Sequence, residues 1–195
     1  MEEVVQWDWS STLFLNDWGN DYVDGFFNFI THKLSAIPLY LFLLYVLYKK
    51  LPTRDFIICL ICIALLITAS DQLANAFKDG VERYRPFRQP GFMDQVSKVG
   101  RSAGTYGFYS GHASNAVALA VFLWQLLSRD RKGIAVIVLV WAALVAYSRV
   151  YLGVHYLGDV LMGTFMGSLV AIFIYQVFYF LTLKYGSKTT AEKQA

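Results

Sequence analysis

Two histidines and a short set of cations are the residues of this chain best equipped for chemistry. His112 heads an otherwise apolar run, "YSGHASNAVALAVFLWQLL", and His155 lies in "SRVYLGVHYLGD" with Asp159 four residues further on. That spacing sets a carboxylate one helical turn from an imidazole, where it can hold the ring in one tautomer and leave the far nitrogen free to react. Lys78 and Arg85 lie in "KDGVERYRP", and Arg149 lies six residues before His155. Taken singly, each residue has an ordinary reading. Lysines and arginines beside a membrane span snorkel to headgroups. His112 can finish a helix end, and His155 with Asp159 can be an orienting pair inside a bundle.

Taken together, three cations and two histidines on one side of a small apolar bundle point to an anion. Histidine and aspartate are also metal ligands, but Lys78, Arg85 and Arg149 would repel a divalent cation, and Asp159 is the one carboxylate in the set. No metal and no cofactor are therefore expected. Guanidinium forks match phosphate oxygens, a lysine adds a point charge, and Ser110 and Gly111 open a helix whose free N–H groups favour negative charge. In phosphoryl transfer His155 would be the nucleophile with Asp159 as orienter, and His112 the acid for the leaving oxygen and then the base for water. Cations around the transferred group would supply most of the stabilisation. Two other readings share these cations: a lipid-phosphate binder that cleaves nothing, and transfer of the phosphoryl group to another lipid or sugar. A binder has little use for a histidine–aspartate pair facing a second histidine.

The elements that must position these groups are membrane helices. Of 195 residues 56% are hydrophobic and 16% charged, against about 25% charged in soluble domains. The runs 34–48, 56–77, 110–127, 134–147 and 160–183 read as five spans, and none carries the charged stripe of a water-facing helix. Several apolar cores are only about 15 residues, short of the roughly 20 that cross a bilayer, so they must borrow flanking residues. Residues 1–32 mix Trp, Phe and Leu with Asp and Asn and read as an amphipathic segment at the interface. The expectation is an all-α integral membrane bundle of five to six helices, with one domain over 1–186, the bundle over 34–184 and a disordered tail over 187–195. The acidic N-terminus "MEEVVQWDWS" lacks the pattern of a cleaved signal peptide. Cys59 and Cys62 sit inside an apolar run and read as packing residues, and Gly163 with Gly167 permits close helix approach. The formal charge of +3 is too small to imply nucleic acid, and nothing in the pattern carries oligomeric state.

Five spans put the segments around Lys78–Tyr109, Ser148–Leu157 and the N-terminus on one face, and the short basic loops "YKKLPTR", "SRDRK" and "LKYGSK" on the other. Lysines and arginines directly at span ends mark the cytoplasmic side. The chemistry-bearing face is therefore expected outside, at the periplasmic surface of a bacterial inner membrane.

The three motifs in order, Lys78 with six residues before Arg85-Pro86, Ser110-Gly111-His112, and Ser148-Arg149 with five residues before His155 and three before Asp159, closely resemble the signature of the type-2 phosphatidic acid phosphatase family. One departure stands out: Tyr109 holds the place where the family's second motif usually begins with proline, so it could alter the substrate entrance. The resemblance implies metal-independent hydrolysis of a lipid phosphate or diphosphate through a phosphohistidine at His155, with Lys78, Arg85, Ser110, Gly111, His112 and Arg149 around the phosphate. It points first to undecaprenyl diphosphate, with phosphatidylglycerol phosphate, lipid A 1-phosphate or lipid phosphotransfer as alternatives. Arg83, Arg88, Lys98 and Arg101 are further cations that would either hold a large anionic headgroup or face solvent and lipid.

Overall fold

The protein is described here from a computed structural model that covers residues 2–17, 19–32, 34–99 and 103–187. Lys33, Arg101 and residues 188–195 of the expected tail lie outside the described residues. The described chain is helical: α1 (Glu2–Asn16), α2 (Asp21–Ile30), α3 (Ile37–Lys50), α4 (Thr53–Val81), α5 (Gly111–Leu127), α6 (Lys132–Tyr151) and α7 (Leu157–Tyr185). Five of these, α3 to α7, coincide with the five apolar runs read from the sequence. α4, α6 and α7 are long and apolar enough to cross a membrane, and α5 is a shorter apolar helix. At 1.5 Å per residue the 29 residues of α4 and of α7 reach about 43 Å, beyond the hydrocarbon core, because each helix continues through polar residues at its ends.

The ends are set locally. Pro38 lies in the first turn of α3, where its missing N–H leaves no hydrogen bond unmade, and the chain turns extended at Leu51 before Pro52. The α4 helix stops at Glu82, whose φ of 51° is left-handed. Ser110 caps α5, its Oγ accepting from the Ala113 N–H at 3.4 Å. The core runs down the bundle between α3, α4, α5, α6 and α7, with Leu66, Phe122, Leu127, Val138 and Phe178 buried. Cys59 and Cys62 are free and buried within it, as packing residues.

The two glycines of α7 fix the position of the site. A Cβ on Gly163 would stand 2.5 Å from the Ser110 carbonyl oxygen, and one on Gly167 would stand 2.3 Å from that of Ser114. Backbone therefore meets backbone where α7 crosses the first turn of α5, and the Ser110 N–H donates to the Asp159 carbonyl at 3.0 Å. The heads of α5 and α7, which carry His112 and Asp159, are thus joined directly.

The N-terminal segment forms α1 and α2 at the same end of the bundle. α1 is amphipathic with its polar stripe inward: Asp8, Thr12 and Asn16 are buried, while Val4, Trp7 and Phe14 are exposed. Each polar residue meets a backbone group that a membrane end would otherwise strand. Asn16 donates to the Tyr151 carbonyl at 2.7 Å and accepts from the Ser97 N–H at 2.8 Å. Thr12 accepts from Leu157 N–H at 2.9 Å and Asp8 from Gly158 N–H at 2.7 Å, so α1 caps the start of α7.

Candidate active site

The site forms where five segments meet on one side of the bundle. Lys78 comes from the last turn of α4, Arg85 from the segment after it, Gly111 and His112 from the first turn of α5, Arg149 from the end of α6 and His155 from the link to α7. All six line one cavity of about 750 Å³. Its remaining wall is largely apolar and runs between α3, α4, α5 and α6 past Leu43, Leu47, Leu60, Ile63, Ile67 and Trp141. A charged head and an apolar body in one continuous cavity suit an amphiphile.

His155 is 2% exposed. Its Nδ1 lies 3.4 Å from Asp159 Oδ2, a loosely engaged pair, and its Nε2 faces Arg85 Nη1 at 3.0 Å. Burial, opposed by Asp159 and reinforced by Arg85 and Arg149, pushes the ring's pKa down to about 4. The imidazole is therefore neutral near pH 7. With Nδ1–H toward the carboxylate, the Nε2 lone pair accepts from Arg85 and points at the cavity's cations. Arg85 is held in place by two carbonyls, donating from Nε to Tyr106 at 3.0 Å and from Nη1 to Val154 at 3.0 Å. Arg149 is 9% exposed, and its Nε has no hydrogen-bond partner among the described residues. A buried guanidinium N–H without a partner beside a cavity is a donor set for an anion. Lys78 Nζ donates to Asn75 Oδ1 at 3.1 Å and stands 3.5 Å from where a Cβ on Gly111 would be, so the lysine lies directly over the start of α5.

Asp159 and Ser110 stand behind this wall. Asp159 is fully buried; its Oδ2 accepts from the Tyr156 N–H at 3.1 Å and its Oδ1 takes a hydrogen bond from Arg83 Nη1 at 2.8 Å. Ser110 does not line the cavity: its Oγ serves the helix cap and its N–H serves Asp159. The helix start instead offers Gly111 and His112 to the cavity. Tyr109 is also away from the entrance. It is fully buried and packs on Phe77, with ring centroids 5.3 Å apart, so it fills space under the loop.

Three groups were not assigned from the sequence. Arg83 turns inward to Asp159, while Arg88 and Lys98 lie against the ring of Phe87. Asp71, two turns below Lys78 on α4, lines the cavity and lies 3.9 Å from the same Gly111 Cβ position. Asp8, from α1, reaches Arg83. Among the described residues no three His, Cys, Asp or Glu side chains converge as a metal site.

Helix ends thus gather two histidines, two arginines and a lysine at the head of an apolar cavity in a membrane protein, a donor set suited to an anion. Residues 59–183 match the profile of the PAP2 superfamily, and the chain belongs to that family. It is 34% identical over 184 residues to a lipid A 4'-phosphatase of Porphyromonas gingivalis, covering 92% of this chain and 76% of that protein. A lipid A 4'-phosphatase of Bacteroides thetaiotaomicron is 34% identical over 180 residues, covering 91% and 79%. The fold is shared with a transmembrane PAP2-type phosphatidylglycerolphosphate phosphatase of Bacillus subtilis, at a TM-score of 0.67 and 27% identity over 91% of this chain and 87% of that one.

Proposed function

We propose that the protein hydrolyses a phosphate monoester on the sugar headgroup of a lipid A-type membrane lipid, without a metal, at the outer face of a bacterial inner membrane. The observation that carries this reading is one cavity with the cationic cluster at its head and an apolar groove below it, in a chain related over nine-tenths of its length to lipid A 4'-phosphatases. His155 Nε2 attacks phosphorus, the bond to the sugar oxygen breaks, and His112 gives that oxygen a proton. Water, deprotonated by His112, then attacks the phosphohistidine and releases inorganic phosphate and the free His155. Lys78, Arg85 and Arg149 hold the three phosphoryl oxygens as charge redistributes, and the head of α5 adds its dipole.

Asp71 favours a sugar over a diphosphate. A carboxylate on the cavity wall beside Lys78 accepts from headgroup hydroxyls and repels a second phosphate, which counts against undecaprenyl diphosphate, the substrate expected from the sequence. Phosphatidylglycerol phosphate remains a second reading, supported by the likeness to the Bacillus subtilis phosphatase, because its headgroup also carries a hydroxyl. Phosphate release in EDTA from lipid A bisphosphate, phosphatidylglycerol phosphate and undecaprenyl diphosphate separates these readings. The expected order places lipid A first and undecaprenyl diphosphate last. Dependence on an added divalent metal, or undecaprenyl diphosphate turning over fastest, would refute the proposal.

A further inference from the structure

We infer that Asp8 of α1 and Arg83 form a positioning pair for Asp159, so that the N-terminal helix is a working part of the nucleophile's apparatus. This rests on His155 being the nucleophile with Asp159 as its orienter. The geometry is a continuous chain. Asp8 Oδ2 accepts from Arg83 Nη2 at 2.6 Å, and Arg83 Nη1 donates to Asp159 Oδ1 at 2.8 Å, whose other oxygen faces His155 Nδ1 at 3.4 Å. Asp8 and Asp159 are 5% and 0% exposed. The guanidinium lies over the Tyr156 ring at 3.9 Å, which limits its swing. Asp8 is in turn fixed by the Gly158 N–H at 2.7 Å, and a Cβ on Gly158 would stand 2.9 Å from Asp8 Oδ2, so a larger residue there would push the carboxylate from its place. Asp8 lies outside residues 59–183, which the family profile matches.

The electrostatics require both members. Arg83 alone would anchor Asp159 while neutralising it, and a neutralised carboxylate gives a poor counter-charge to the imidazole as phosphorylation makes His155 cationic. Asp8 balances Arg83, leaving Asp159 anchored by Arg83 at Oδ1 and by the Tyr156 N–H at Oδ2 with its counter-charge to the ring kept. Removing Asp8 is therefore worse than removing the pair, because it strands an uncompensated arginine on the orienter. Neither residue lines the phosphate cavity, so substrate binding is spared.

The test uses the full-length protein in detergent with a lipid phosphate, reading kcat and KM separately together with melting temperature. Asp8→Asn should lower kcat on the order of 10–100-fold with KM within about two-fold, the size found for groups that orient a first-layer ligand. Asp8→Asn/Arg83→Gln should recover part of that loss, turning faster than Asp8→Asn alone. Thr12→Val loosens the same α1–α7 seam without touching the charges; it should melt lower but keep kcat within about two-fold when assayed well below its melting point. His155→Ala separates the two levels of inference. If it retains turnover, the nucleophile reading itself fails. If it is inactive while Asp8→Asn turns over like the wild type, or while the double variant is no faster than Asp8→Asn, the positioning pair is overturned. A loss of kcat in Thr12→Val equal to that in Asp8→Asn would also overturn it, leaving α1 a structural clamp.

Discussion

Gly163→Ala is the substitution that most directly tests whether contact between α5 and α7 sets the chemistry. The new methyl would stand 2.5 Å from the Ser110 carbonyl oxygen, where ordinary contact begins at 3.4 Å. That oxygen cannot swing away, because it accepts the first hydrogen bond of α5 from the Ser114 N–H at 3.0 Å. The head of α7 must therefore retreat by about 0.9 Å, the difference between those two distances. The hydrogen bond from Ser110 N–H to the Asp159 carbonyl, 3.0 Å long, would stretch toward the limit of a useful contact. Overpacking of this kind costs about 1–3 kcal/mol. A misplacement of about 1 Å between reacting groups costs on the order of 100-fold in rate, here between His155 on the α7 side and His112 on α5. The assay is kcat for lipid phosphate hydrolysis beside a thermal melt, with Gly133→Ala as control because nothing lies within 4 Å of the Cβ it would add. The control should match or exceed the wild type in stability, since alanine is the better helix former. Wild-type kcat and melting temperature in Gly163→Ala would refute the claim that backbone contact at this crossing registers the two histidines.

The remaining tests follow from the site's charges. Because burial holds the His155 pKa at about 4, the acid limb of kcat/KM due to the nucleophile should fall near pH 4; a limb of His155 titrating near 6.5 would mean the ring is solvated. The same residue makes stability pH-dependent: the unfolded histidine binds a proton below about 6.5 and the folded one below about 4, so stability falls as pH drops through that window and is flat above it. Arg149→Lys keeps the charge but loses the fork, and should weaken inhibition by inorganic phosphate or vanadate by about 10-fold; unchanged inhibition would take Arg149 out of the phosphate shell. Asp71→Asn should narrow the preference for lipid A over undecaprenyl diphosphate, visible as a rise in the second rate relative to the first, and an unchanged ratio would remove Asp71 from specificity.

Much of the bundle was legible because membrane spans are written as contiguous apolar runs, and the candidate residues that meet at the cavity were recognisable where they are grouped locally in the chain. His155 and Asp159 are one turn apart, and Ser110-Gly111-His112 is a helix start. Ser110 shows where local reading stopped: a hydroxyl at a helix N-terminus can bind an anion or cap its own helix, and only the fold shows that it caps. Arg83 was indistinct from its neighbours as a loop cation. The segment is extended there, with Tyr84 bridged to Tyr106, so Arg83 and Arg85 share the period-2 face and reach Asp159 and His155 side by side. In α1 the signal was present as Asp8, Thr12 and Asn16 at four-residue spacing. A polar stripe on a helix beside a membrane reads naturally as its wet side, whereas here it serves the backbone ends of α6 and α7.

That inversion follows from where the active site has to be. A phosphate on a lipid must be met at headgroup depth, where the spans end and their terminal N–H and C=O groups lose both helical partners and free access to water. The same ends carry the two histidines and three cations assigned to the proposed chemistry. Ser110 and Asp159 answer some of the terminal backbone groups from within the bundle, and the rest need partners from outside it. α1 provides them, with Thr12 and Asp8 on the first N–H groups of α7 and Asn16 on the last carbonyls of α6. Because Asp8 also pairs with Arg83, which pairs with Asp159, the contact that finishes the helix end also reaches the carboxylate that faces His155. Helix capping and the proposed positioning of Asp159 thus draw on the same carboxylate.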